Sequence, residues 1–141
     1  MSFVLRLVLD TNILVSAALK PDSLQHTIFL LTLTKSIRLY VSQPVLDEYA
    51  EVLGRPKLGI RRGVRLQMLQ LIRNHSHMVA PTRALNVTSD PDDNIFLECA
   101  EAARADYLLT GNRKHFPAFW KSTKVISSND FISLIAPQLL H

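Results

Sequence analysis

Short apolar runs alternate along the chain with longer segments in which apolar residues recur at helical spacing. The runs predict buried strands at residues 3–9, 38–41, 78–80, 107–110 and 124–126. The longer segments predict helices at residues 12–19, 23–36, 42–53, 62–74, 93–105 and from about 128 to 134. This alternation predicts an α/β protein in which a central parallel sheet of about four to five strands lies between two helical layers. We expect a single three-layer α/β/α domain over residues 1–141.

Residue types at the helix ends support these boundaries. Ser23 and Ser42 precede two of the predicted helices, and serine is a favoured capping residue. Pro44 falls in a first turn, where no backbone donor is needed. The apolar positions of segment 23–36 go nearly all the way round the helix, which predicts a helix buried on more than one side or contributing to a dimer surface.

Composition places the chain among ordinary globular proteins. Hydrophobic residues make up 48% and charged residues 20% of its 141 positions. The apolar stretches are much shorter than the roughly 20 residues of a membrane span. The single cysteine, Cys99, excludes an internal disulfide and a multi-cysteine zinc site. We therefore expect a cytoplasmic protein without a membrane segment.

The net charge of +4 is unevenly distributed. No acidic residue lies between Glu51 and Asp90, whereas that stretch carries several arginines, among them Arg61, Arg62 and Arg65. Arg113 and Lys114 belong to a second basic group. A solvated basic face is the simple interpretation of any one of these residues, but the whole stretch favours a polyanionic partner, either a nucleic acid or an acidic protein.

Acidic and amide side chains fall where predicted elements begin or end. Asp10 follows the first strand, Glu48 lies near a helix start, Asp93 opens a helix together with Asp90 and Asp92, and Asn112 follows a strand. In an open parallel sheet such positions gather at the carboxyl edge, where ligands bind. Because carboxylates brought together repel one another, the pattern predicts a site for a hard metal ion.

Other α/β chemistries fit the residues poorly. A haloacid-dehalogenase-like phosphatase needs a second aspartate where Asn12 stands, and a response-regulator receiver needs acids where Val8 and Leu9 stand. Phosphate-binding loops need glycines that this chain lacks at those places, which disfavours a flavodoxin-like phosphate-handling domain. His75 and His77 are interpreted as solvated histidines in a surface turn.

Four sequence blocks, taken in order, resemble the PIN domain family of metal-dependent ribonucleases. Within that family the chain is most similar to the VapC-like toxins of toxin–antitoxin operons. The blocks are Leu-Asp-Thr-Asn at 9–12, Pro-Val-Leu-Asp-Glu at 44–48, Asp-Pro-Asp-Asp-Asn at 90–94 and Ala-Asp-Tyr-Leu-Leu-Thr-Gly-Asn at 105–112. The resemblance extends over residues 4–135.

The resemblance implies a site that binds Mg²⁺ or Mn²⁺. Its implied ligands are Asp10, Glu48 and Asp93, and Asn112 stands where many family members have a fourth catalytic aspartate. That difference removes one negative charge and bears on a second metal position. Polar support around the ligands is expected from Thr11, Asn12, Asp90 and Thr110, as is common around metal sites.

The implied activity is hydrolysis of RNA phosphodiester bonds by a toxin whose partners are an antitoxin protein and a second copy of the chain. The residues expected to contact the RNA backbone are Arg61, Arg62, Arg65, Arg113 and Lys114. The neutral Asn112 leaves an alternative open, a catalytically weak PIN-like module that binds RNA or a protein.

Overall fold

The centre of the fold is a six-stranded sheet, seen in a computed structural model that describes residues 4–139. The strands are β1 (Leu5–Leu9), β2 (Ile37–Val41), β3 (His77–Met78), β4 (Tyr107–Leu109), β5 (Phe119–Trp120) and β6 (Thr123–Ile126). The helices are α1 (Thr11–Leu19), α2 (Leu24–Leu31), α3 (Gln43–Leu53), α4 (Arg62–His75), α5 (Pro91–Ala103) and α6 (Ser128–Leu139). Short 3₁₀ turns form at Pro56–Leu58 and Arg113–His115. Phe3, part of the first predicted strand, lies outside the described residues.

The strand order is β3-β2-β1-β4-β6-β5, and every pairing is parallel except that of β5 with β6. Leu7 of β1 pairs with Leu39 on one side and with Tyr107 on the other. Because β1 is flanked by β2 and β4, the carboxyl ends of these three parallel strands lie side by side. The predicted α/β class with a central parallel sheet is confirmed.

The core lies between the sheet and its helices. Three strand residues in sequence, Leu7, Val8 and Leu9, are buried, as expected for a strand covered on both faces. Helix α5 packs against β1, β2 and β4, while α1 contacts α2, α3 and α4. Cys99 on α5 is free and buried, and burial raises the pKa of its thiol to about 12. The thiol therefore behaves as a small core side chain.

Capping side chains begin the helices at the predicted serines. The Ser23 hydroxyl accepts a hydrogen bond from the His26 N–H at 3.1 Å, and the Ser42 hydroxyl accepts one from the Val45 N–H at 3.3 Å. Pro44 lies in the first turn of α3. Each hydroxyl satisfies a backbone donor that the helix itself leaves unpaired.

The sheet has six strands, so the expected number of four to five was too low. The missed strand is β5, which forms a tight hairpin with β6 through Lys121 and Ser122. Two-residue hairpin loops usually carry Asn-Gly or a similar pair, because they need positive φ angles. Here Lys121 adopts a φ of 54° without that signal. A strand of two residues with no turn signature escapes pattern analysis.

The helix predicted at 23–36 ends at Leu31 instead. The hydroxyls of Thr32 and Thr34 donate to the carbonyls of Phe29 and Leu31, at 2.6 and 2.7 Å. Such local bonds compete with helix continuation. The all-round apolar pattern is thus divided between a helix and the turns after it, with Ile28 and Phe29 buried in the core.

Two further boundaries differ from prediction. The strand predicted at 78–80 is His77–Met78, and the last helix extends to Leu139 rather than to about 134. Within residues 4–139, the helices are all too short or too polar to span a membrane.

Candidate functional site

Asp10 lies where β1 ends and α1 begins. Its side chain is 7% exposed and accepts two hydrogen bonds, from the Thr11 N–H at 2.8 Å and from the Thr110 hydroxyl at 2.7 Å. Its own N–H donates to the carbonyl of Leu109 at 2.9 Å. The carboxylate is therefore held at the junction of β1 and β4, with little freedom to rotate away.

Glu48 reaches the same edge from α3. The Thr11 hydroxyl donates to Glu48 Oε2 at 3.2 Å, which links the start of α1 to α3. The next residue, Tyr49, is fully buried, and its hydroxyl donates to the Leu9 carbonyl at 2.5 Å. This phenol joins α3 to the last residue of β1, so it fixes the helix that carries Glu48 relative to Asp10.

The segment after β4 closes the site from the other side. Thr110 is buried, and besides donating to Asp10 its hydroxyl accepts a hydrogen bond from the Asn112 N–H at 2.9 Å. The Gly111 N–H donates to Asn12 Oδ1 at 3.1 Å. Thr110 and Asn12 thus position backbone around Asp10, and their support of a metal site stays a prediction.

Asp90 and Asp93, at the start of α5, have different environments. Asp90 caps the helix, with its carboxylate accepting from the Asp92 N–H at 2.9 Å, so its side chain is engaged in a structural contact. The Asp93 side chain is only 17% exposed. Asn94, which the sequence did not single out, is buried, and its Oδ1 accepts from the N–H groups of Val87 and Thr88 at 3.2 and 2.8 Å. It ties the preceding loop to the helix that carries Asp93.

The ionisation of the site reflects burial first and the proximity of other carboxylates second. Burial, followed by repulsion from Asp10 and Asp90, raises the pKa of Asp93 to about 6. Burial also raises the pKa of Asp10, although the hydrogen bonds from Thr110 and Thr11 partly offset it. For Glu48, burial raises the pKa, opposed by the Thr11 hydrogen bond and reinforced by repulsion from Asp92. A positive charge at this edge would favour the ionised form of all three carboxylates and so lower their pKa values.

His115 is a member of the site that the sequence analysis missed. Its Nδ1 lies 3.8 Å from Asp93 Oδ2, and the imidazole is 63% exposed. In the sequence, His115 is marked only by its position three residues after Asn112. No known spacing predicts that a histidine in such a short turn contacts a carboxylate on a distant helix.

The donor set at this edge suits a hard divalent cation, since Asp10, Glu48 and Asp93 offer only carboxylate oxygens. Among residues 4–139, however, no three histidine, cysteine, aspartate or glutamate side chains are already placed as a metal-binding group. Repulsion from Asp10 contributes to the raised pKa of Asp93, so these two acids lie near each other, and side-chain rotation, above all of Asp93, would be needed to bring all three acids onto one ion. The assignment of Asp10, Glu48 and Asp93 as metal ligands stays a prediction.

The basic residues fall into two groups. Arg113 and Lys114 line a groove of about 810 Å³ that begins at Thr110 and Asn112. The second group lies on or just before α4 and comprises Arg61, Arg62 and Arg65. In the described part of the chain, no hydrogen bond or ion pair joins this second group to the acidic site. The structure thus brings only the first group next to the carboxylates.

Comparison with known proteins decides the family. A family model described as PIN domain matches residues 6–114 of the chain. This chain belongs to the PIN domain family. The resemblance deduced from the four sequence blocks is therefore confirmed at the level of the family.

Two relatives extend the comparison of this PIN domain. An uncharacterized protein of Methanocaldococcus jannaschii is 29% identical over 112 residues, which cover 77% of this chain and 72% of that protein. A chain from the crystal structure of VapBC2 of Rickettsia felis, bound to a DNA fragment from their promoter, superposes with a TM-score of 0.59. It is 18% identical, and the match covers 87% of this chain and 98% of that one. At that identity the likeness establishes the fold.

We expect Thr110→Val in this PIN domain to lower the free energy of unfolding by about 1–3 kcal/mol, because a buried carboxylate and a backbone N–H lose their partner. It should also raise the pKa of Asp10 further, since the Thr110 hydrogen bond opposes the effect of burial. Urea denaturation near neutral pH measures the first effect. Thr82→Val, at an exposed loop position, is the control, and equal losses in both variants would contradict the role given to Thr110.

Proposed function

We propose that this PIN domain is an endoribonuclease dependent on Mg²⁺ or Mn²⁺ and that it is the toxin of a toxin–antitoxin pair. The observation that carries the proposal is the meeting of Asp10 and Asp93 at the carboxyl edge of the sheet, close enough for their charges to repel. A divalent cation at this edge would offset the repulsion and favour the ionised form of both carboxylates. The family membership and the acidic edge point to the same chemistry.

In the proposed mechanism Asp10, Glu48 and Asp93 hold the divalent ion, which supplies Lewis-acid chemistry for hydrolysis of a phosphodiester. Thr110 and Thr11 fix the Asp10 carboxylate, and Thr11 also orients Glu48. Because these contacts come from α1 and from the segment after β4, Asp10 and Glu48 are held at this edge before RNA arrives, whereas Asp93 would have to turn toward the ion. Asn112 is part of the lining of the adjacent groove, along which substrate would lie.

The groove beside the carboxylates supports RNA as the substrate. Lys114 is exposed along it, and Arg113 pairs with Asp130 at 2.6 Å on the surface. Surface ion pairs of this kind are weak, so the Arg113 guanidinium can exchange its partner for a phosphate at little cost. Phosphate contacts there would give affinity without choice of sequence. Arg61, Arg62 and Arg65 remain proposed contacts for RNA outside the groove.

We expect divalent-cation binding to strengthen as the pH rises through about 6, because only the Asp93 carboxylate form is a ligand and its pKa is raised to about 6. In the metal-free protein the raised pKa of Asp93 makes the free energy of unfolding fall as the pH rises. The stabilising contribution of Asp93 is complete below its unfolded-state pKa of about 4 and is lost as the pH rises through about 6. Urea denaturation across this range, without metal, should therefore show the loss. Asp93→Asn should flatten the profile, and an unchanged profile in that variant would exclude Asp93 as its source.

The test of the function is cleavage of total cellular RNA by the purified protein with Mg²⁺ or Mn²⁺, compared with the same reaction in EDTA. The proposal predicts cutting that depends on the metal, and mapping of the cut ends would identify the RNA. No cutting by folded protein, shown to be free of any partner, would overturn it.

The second candidate is a module that binds RNA or a protein with little catalysis. Asn112 favours it, because the chain has a neutral amide where many PIN domains carry a fourth aspartate. The two functions differ in their response to Asn112→Asp. A silent wild type that gains cleavage on this substitution would support the weak module, whereas an active wild type excludes it.

An antitoxin and a second copy of the chain are the proposed protein partners. The structural relative from Rickettsia felis is part of a VapBC2 complex, which supports a partner of that kind. Leu19 on α1 and Leu30 on α2 are exposed although the two helices pack together, so these helices offer apolar surface for a homodimer. Light scattering of the purified chain measures its molar mass and tests the dimer.

A further inference from the structure

Asn112 is a weak substitute for a charged ligand. Its backbone N–H is taken by Thr110, and within residues 4–139 its side chain makes no capping bond to the 3₁₀ turn that follows. The amide is exposed and neutral. A neutral amide oxygen attracts a divalent cation less strongly than a carboxylate does. Asn112 therefore does not replace the negative charge of the aspartate that many PIN domains have at this position.

The turn after Asn112 brings a different donor to the same place. The His115 N–H donates to the Asn112 carbonyl at 2.9 Å and closes the turn Arg113–His115. The turn directs the imidazole at α5, where its Nδ1 lies 3.8 Å from Asp93 Oδ2. Burial raises the pKa of both Asp93 and Asp10, and the charge of His115 opposes that rise in each. The imidazole therefore lies beside Asp93, and its charge acts on Asp10 as well.

The distance between these two atoms fits donors to one ion. Ligands about 2.1 Å from a cation lie about 3 Å apart on adjacent coordination positions and about 4.2 Å apart on opposite ones. The 3.8 Å between His115 Nδ1 and Asp93 Oδ2 lies between these two values, so a rotation of either side chain would bring both donors onto one ion. It is longer than a direct hydrogen bond and within ion-pair range, so the imidazole and the carboxylate lie together without a direct hydrogen bond between them.

We infer that the His115 imidazole is a ligand of the divalent ion and performs the part that a fourth aspartate has elsewhere in the family. The inference rests on the proposed function, in which Asp10 and Asp93 hold that ion. A nitrogen donor changes the choice of metal, because Mg²⁺ takes oxygen ligands, whereas imidazole is a common ligand of transition ions. Mn²⁺ suits carboxylate oxygens as Mg²⁺ does, but as a softer ion it accepts a nitrogen donor more readily, so the site should bind Mn²⁺ in preference to Mg²⁺.

The experiment uses Mn²⁺ alone as the probe of the purified chain. Electron spin echo envelope modulation of bound Mn²⁺ detects a directly coordinated ¹⁴N nucleus, and calorimetric titration gives the affinity for Mn²⁺ and for Mg²⁺. The variants are His115→Ala, Asn112→Ala and Asp10→Asn. His75→Ala, at an exposed histidine near the end of α4, is the matched control. Circular dichroism checks that each variant is folded.

We expect the ¹⁴N coupling in the wild type, in His75→Ala and in Asn112→Ala, and its loss in His115→Ala. Affinity for Mn²⁺ should fall at least about tenfold in His115→Ala, which is the loss seen even for residues that only support a ligand. Affinity for Mg²⁺ should fall less, so the ratio of the Mn²⁺ affinity to the Mg²⁺ affinity should be smaller in His115→Ala than in the wild type. His115→Asp, which restores an oxygen donor, should shift the preference toward Mg²⁺.

Mn²⁺ binding that depends on Asp10 but shows no ¹⁴N coupling would overturn the role of His115 and leave the proposed function standing. The same holds if His115→Ala binds Mn²⁺ as the wild type does. If Mn²⁺ does not bind, or binds equally well to Asp10→Asn, both the ligand role and the metal site of the proposed function are wrong.

Discussion

Asp10→Asn should reduce metal-dependent RNA cleavage about a thousandfold or more, the equivalent of about 4 kcal/mol of transition-state stabilisation. The carboxylate is the proposed ligand at the junction of β1 and β4, and an amide removes its charge while keeping its shape. Asparagine is as good a helix cap as aspartate, so its Oδ1 can still accept from the Thr11 N–H. The fold should survive, and the loss should fall on metal binding and cleavage together.

Asp47→Asn is the matched control, since it makes the same change of charge at an exposed position beside Glu48. Its carboxylate contacts only Gln43 on its own helix among the described side chains. Cleavage rates on one RNA substrate, with Mn²⁺ binding measured in parallel, would separate the two variants. A folded Asp10→Asn protein that still cuts RNA in a metal-dependent way would place the active site elsewhere.

Tyr49→Ala should lower the free energy of unfolding by about 3–5 kcal/mol, the range for removing a large buried aromatic side chain. The ring is fully buried and lies beside Phe96 of α5, with the ring centroids 6.3 Å apart. Its hydroxyl is also the partner of the Leu9 carbonyl. One side chain therefore holds together the end of β1, the helix of Glu48 and the helix of Asp93.

Chemical denaturation of three variants would resolve these contributions. Tyr49→Phe keeps the ring and loses only the hydroxyl, so about 1–3 kcal/mol should be lost, because the Leu9 carbonyl is left without its partner. Phe119→Ala removes an aromatic side chain that is 67% exposed and should change stability by no more than about 0.5 kcal/mol. Similar losses in the Tyr49→Ala and Phe119→Ala variants would contradict the central place given to Tyr49.

The parts of the fold and site that the sequence predicted are those with a local physical signature. Strand ends are marked by an apolar run followed by a polar residue, which located Asp10 and Thr110 at one sheet edge. Ser42 and Pro44 marked a helix start by the chemistry of unpaired backbone donors. These signals act within a few residues, so they can be read without knowing what packs nearby.

The features that were missed depend on contacts between distant segments. The approach of His115 to Asp93 needs the turn after β4 to meet the start of α5, and the Tyr49 bond to Leu9 joins residues forty positions apart. Likewise, nothing local distinguishes Asp90, which caps its helix, from Asp93, which faces the site. The roles of Asp10, Glu48, Asp93 and Asn112 in catalysis remain predictions for the experiments above.

The two outermost strands have a consequence for how this protein meets other chains. Both β3 and β5 contain only two residues, so each border of the sheet presents very little unpaired backbone. Long exposed borders invite strand-to-strand association and fibre formation, and very short ones are a known protection against it. Lys121 and Lys124 beside β5 add repulsion between like charges. Specific association of this chain with another would therefore use the side chains of its helices. Side chains can distinguish one partner from another, whereas the unpaired backbone of an edge strand cannot.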